Sequence, residues 1–103
     1  MTNTDTVSDS LNRFNLVTSD HNRGFTMTFS NRVTVSVRWG KYNYSDGKTT
    51  AEVAARDADT DEWVHVTGYD YNSDNVLGHL TTNEVAKFVH AAATMPSPMK
   101  ANS

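Results

Sequence analysis

Four histidines, twelve carboxylates and no cysteine limit the chemistry open to this 103-residue chain. Without thiols there is no disulfide framework, no thiolate metal site and no cysteine nucleophile. The histidines are His21, His65, His79 and His90, and none has HExxH or other metal spacing. Two acidic runs invite a calcium reading. In Asp57-x-Asp59-x-Asp61 the sixth and twelfth positions, where an EF-hand requires Gly and Glu, are Glu62 and Gly68. In Asp70-x-Asn72-x-Asp74 they are Asn75 and Thr81. Both runs therefore read as turns in which short polar side chains bond their own backbone. The glutamates Glu52, Glu62 and Glu84 show no paired spacing, and no GxSxG, P-loop or GxGxxG motif occurs. The chain reads as a non-enzyme without a cofactor or a metal.

The segment from Arg38 to Gly47 differs from the rest. Arg38, Trp39, Lys41, Tyr42, Asn43 and Tyr44 crowd aromatic rings and cations between two strands, in a stretch punctuated by Gly40 and Gly47. Rings with cations in a glycine-punctuated loop are common ingredients of recognition surfaces, and they suit stacking and phosphate contacts. These six residues are the candidate binding site. The competing reading has Trp39 finishing the core face while Tyr42 and Tyr44 cover the sheet edge. A second aromatic loop, Gly68 to Tyr71, cannot be placed relative to the first by spacing.

The elements that must position this loop are legible. Phe25, Met27 and Phe29 alternate with Thr26, Thr28 and Ser30, and Val33, Val35, Val37 and Trp39 alternate with Thr34, Ser36 and Arg38. Period-2 alternation with β-branched residues marks half-buried strands. Asn31-Arg32 between them predicts a tight hairpin, with Asn31 tolerating positive φ. Lys48–Arg56 is a third strand, Glu62–Thr67 a fourth after an Asp-rich turn, and Arg13–Thr18 a candidate strand ahead of them. Thr81-Thr82-Asn83-Glu84 is a capping box, Leu80 and Val85 form a hydrophobic staple, and Val85, Phe88, Val89 and Ala92 make one helical stripe that Pro96 ends.

The fold class is α+β: an antiparallel sheet of four to five strands with one C-terminal helix on one face. It occupies 11–95 as one domain between flexible tails at 1–10 and 96–103. A hydrophobic content of 37% suits a sheet with one dry and one wet face. The net charge of −3 argues against binding duplex nucleic acid. No run of about 18 apolar residues suggests a membrane span, and the polar N-terminus does not read as a secretory signal.

Taken in order, Gly24–Asn31, Val33–Val37, Gly40, Asn43-Tyr44, Thr50–Ala54, and Leu80–Ala86 with Phe88-Val89 resemble a family of small tailed-bacteriophage proteins. The resemblance spans roughly 13–92. The chain departs from the family pattern at Ser45, where a cysteine is frequent, and at the helix start, where a proline is frequent. The resemblance implies a viral origin and a place in the cytoplasm of an infected bacterium; it implies no mechanism. Three functions follow as expectations. The first is an accessory protein that binds a host or phage protein, in host takeover or anti-defence. The second is a binder of a small nucleotide signal, and the third a minor virion component. Exposed sheet edges favour a homo-oligomer.

Overall fold

A computed structural model describes residues 11–18, 22–40, 48–71 and 75–98. Its elements are β1 (Arg13–Thr18), β2 (Asn22–Thr28), β3 (Val33–Gly40), β4 (Ala51–Asp57), β5 (Trp63–Val64), β6 (Val76–Leu80) and α1 (Thr82–Thr94). The expected tail at 1–10, and the expected tail at 96–103 beyond residue 98, lie outside the described residues. The α+β architecture of the sequence reading is the one observed: an antiparallel sheet with one C-terminal helix.

The first four strands form a meander, β1-β2-β3-β4. The far edge of β4 is shared, with β5 pairing to Ala55 and Arg56 and β6 to Ala51, Val53 and Ala54. Register settles which residues share a face. Directly opposed residues point the same way, so Phe14↔Met27↔Val35↔Ala55 and Leu16↔Phe25↔Val37↔Val53 are two rows of the apolar face. On the other face Thr26 and Ser36 stand opposed, as do Thr28 and Thr34, whose hydroxyls lie 2.8 Å apart.

The helix seals the middle of the apolar face. Phe88 and Ala92 are fully buried against Val33, Val35, Val53 and Ala55, and Val85 and Val89 flank them as the stripe predicts. The capping box forms as read: Thr81 Oγ1 accepts from the Glu84 amide and Glu84 Oε1 accepts from the Thr81 amide. A helix about 10 Å across covers only two or three strands spaced about 4.8 Å apart. Here α1 packs on β3, β4 and β6, so the apolar side chains of β1 stay outside its cover.

The β2–β3 turn differs from the expectation. Positive φ falls on Arg32 (69°), not Asn31, because the Arg32 amide bonds the Phe29 carbonyl and the loop has three residues rather than two. Asn31 is thereby free for another task. Its Nδ2 donates to the carbonyls of Ala92 (2.8 Å) and Met95 (2.9 Å), and its Oδ1 accepts from the Val33 amide (3.1 Å). One side chain ties the hairpin to the helix C-terminus and satisfies two carbonyls that the helix leaves open.

Three further differences concern the strands. The third begins at Ala51 rather than Lys48. The fourth is only Trp63–Val64, because the Val66 amide turns inward to the Tyr71 hydroxyl instead of continuing a ladder. β6 was not anticipated at all. The two-residue step from Ala51 to Val53 in β4 is matched by a three-residue step from Leu80 to Leu77 in β6, so β6 carries a bulge, and His79 sits there with φ 59°.

Candidate functional site

Arg38 and Trp39 are neighbours in sequence and project from opposite faces of β3. Trp39 lies on the helix side, edge-on to Phe25 with ring centroids 6.3 Å apart, and packs partly buried against the core. Arg38 lies on the wet side. It stands across from Glu52 and donates from Nε to Ser36 Oγ at 3.1 Å. A small ligand lying on one face meets one of the two and not the other. The remaining candidate residues, Lys41, Tyr42, Asn43 and Tyr44, lie outside the described residues.

What Trp39 helps to build is an apolar cleft of about 280 Å³ between the sheet and the start of α1, walled by Phe25, Trp39, Lys48, Leu80, Thr82 and Val85. The capping box fixes one wall, because it sets the angle at which α1 leaves β6. The staple partners Leu80 and Val85 both reach the cleft. β3, which carries Val37 and Trp39 to the opposite wall, ends at Gly40, whose φ of 155° few other residues adopt.

The second aromatic loop faces elsewhere. Tyr69 meets Phe88 edge-on at 5.2 Å, and Tyr71 stacks on His65 at 4.1 Å and 6° between planes. Both tyrosines line a larger open groove of about 780 Å³, with Leu77, His79, Glu84 and Lys87 on its other sides. Among the described residues Leu80 alone lines both hollows. The groove escaped the sequence reading because β6 did.

Tyr71 is the one described side chain with a clearly displaced ionisation. Burial pushes its phenol above the ordinary 10.0, outweighing the Val66 amide bond that favours the anion. Its hydroxyl satisfies the buried Val66 amide at 3.1 Å. Tyr71→Phe is expected to cost about 1–3 kcal/mol, the range for orphaning a buried donor. The pH dependence has a definite sign. The unfolded chain ionises first, so this contribution is complete below pH 10.0 and is lost as pH rises through the raised folded value. Urea melts between pH 9 and 11.5 check both parts, and the Phe variant should lack this share of the alkaline loss.

The acidic run Asp57–Asp61 sends its carboxylates to three different places. Asp57, 3% exposed, accepts from the amides of Asp59 and Thr60. Asp59 pairs with Arg32 at 2.8 Å, and Asp61 with Arg56 at 3.0 Å. Asn72 and Asp74 of the second run, and His21, lie outside the described residues. His65 Nε2 bonds Asn75 Oδ1 at 2.7 Å, while His90 is exposed on the helix. Among the described residues no three His, Asp or Glu side chains are grouped to hold a metal ion, and no helix is long and apolar enough to cross a membrane. Comparison of the chain with family models, with curated proteins and with solved structures gave no match.

Proposed function

We propose that this chain is a non-catalytic accessory protein that captures a macromolecular partner by receiving an apolar side chain beside Trp39. The observation that carries the reading is the cleft itself. At about 280 Å³ it falls just below the roughly 300–1,000 Å³ in which a drug-sized ligand is buried. It suits one large side chain of a partner, the anchoring mode of interface hot spots. Lys48, exposed at the same cleft, is a cation of the kind an interface carries at its polar edge. The resemblance to tailed-bacteriophage proteins supports a host or phage protein as the partner, met in the cytoplasm of the infected bacterium.

Selection from a random peptide library, read with 5-fluorotryptophan-labelled protein, tests this. Binders should share one large apolar residue and shift the fluorine signal of Trp39 while leaving that of Trp63 in place. Trp39→Ala should weaken them at least about tenfold, as an anchor worth about 2 kcal/mol requires, with circular dichroism confirming the fold. Peptides that bind the variant equally well, or that move Trp63 instead, would sink the reading.

The groove between Tyr69, Tyr71, His79 and Lys87 favours the small-molecule alternative, because its 780 Å³ has room for a nucleotide-sized ligand to lie along it. A rise in melting temperature with one nucleotide of a panel, abolished by Lys87→Ala, would support it.

A further inference from the structure

We propose that two copies of this chain join through β1, antiparallel and centred on Asn15, to make one continuous sheet with both helices on the same side. Among the described residues β1 pairs only with β2, so its outer row of amides and carbonyls faces outward. The strand reads RFNLVT. It has none of the usual edge protections of proline, a bulge or an inward-pointing charge; its only charge is Arg13.

On its apolar face Phe14 is 72% and Leu16 81% exposed, and both continue the rows that run through Met27 and Phe25 into the core. Large apolar side chains this exposed, side by side on an open edge, mark a contact surface.

The sequence selects the register. For the faces of two copies to match, opposed residues must share parity, so a residue at the centre lies opposite itself. Centring on Phe14 sets Leu16 against Asn12, and centring on Leu16 sets Phe14 against Thr18. Only Asn15 at the centre places each Phe14 against a Leu16. It also sets Arg13 against Val17, so the like charges avoid each other. This self-complementarity, generated by one six-residue strand, makes a second copy the occupant. Phe14 and Leu16 expose roughly 300 Å² per copy, about 150 Å² each. The two copies together would bury on the order of 600 Å² of these side chains, in the range of weak, transient contacts below about 1,200 Å², which predicts a reversible dimer.

Sedimentation velocity on the unmodified protein should show monomer and dimer in rapid exchange, with the dimer share rising with protein concentration, as for weak and transient interfaces. Leu16→Lys, at a site too exposed to endanger the fold, should raise the dimer Kd at least about tenfold by setting a charge against Phe14. The chain has no cysteine, so a cross-link gives a second readout. Directly opposed Cα atoms about 4.5–5.5 Å apart lie within disulfide reach. Asn15→Cys should therefore oxidise to a covalent dimer far faster than Lys87→Cys on the exposed helix surface. Monomer at every concentration would overturn the proposal and leave the edge to a foreign strand. So would a dimer unaffected by Leu16→Lys, or equal cross-linking of the two cysteine variants. Trp39 takes no part in this contact, so failure here leaves the cleft reading standing.

Discussion

Phe88→Ala should lower the unfolding free energy by about 3–5 kcal/mol, the usual cost of truncating a fully buried phenylalanine. Phe88 is 0% exposed and touches both layers, since it packs on the valines of β3 and β4 and receives the edge of Tyr69. A chain of this size holds roughly 5–15 kcal/mol in total, so the loss is a large share of its stability. Phe14 is the control of the same residue type. At 72% exposure its change to alanine should move the stability of the monomer by less than about 0.5 kcal/mol. Urea unfolding of the two variants at low protein concentration makes the comparison. Similar losses in both would mean that α1 does not seal the sheet at Phe88.

Gly24→Ala should be the second large effect, and its sign is unusual. In a strand interior alanine normally improves on glycine by about 0.5–1 kcal/mol, because it reduces the freedom of the unfolded chain. Gly24 is buried in β2 opposite Arg38, and a Cβ there would press into the Val37 carbonyl oxygen and come within 3.0 Å of Arg38 Cα. Both obstacles are backbone, so no rotamer change relieves them; β2 and β3 must part. Overpacking of this kind costs about 1–3 kcal/mol, and a displaced ladder belongs at the upper end. A fall in the urea midpoint is the expected result. A rise would show that the strands have room at this point.

Much of the fold was legible because local pattern and tertiary demand agree. The alternation in Val33–Trp39 appears as expected, with Val33, Val35 and Val37 buried, and β2 lies beside it in register; within β2, however, Thr26 and Thr28 are the buried residues while Phe25, Met27 and Phe29 are half-buried. The helix was legible from both directions, since its cap and its stripe rest on side chains within one turn of each other. β6 was not, because the bulge at His79 puts Leu77 and Leu80 three apart against one face and breaks the period. β5 misled because Val64 and Val66 alternate correctly, yet the Val66 amide goes to Tyr71. The candidate site was half legible. Strand parity alone separates Arg38 from Trp39 once β3 is accepted. The cleft depends on Leu80, Thr82 and Val85 arriving from about forty residues away, which no local pattern encodes. The exposure of Phe14 and Leu16 depends on how far a helix reaches across a sheet, a matter of width rather than of sequence.

The order of the elements also sets a timetable for synthesis. The valine face is laid down early, at Val33 to Val53, and the helix that covers it comes last in the sheet's order, with Phe88 55 residues after Val33. At about 5–20 residues per second a ribosome takes roughly 3–11 s to make that stretch. During that interval the meander emerges with its dry side open to any chaperone or neighbouring nascent chain. The Asn31 bonds to Ala92 and Met95 close across 61 and 64 residues, so they form only at the end of this interval, once the helix has been made.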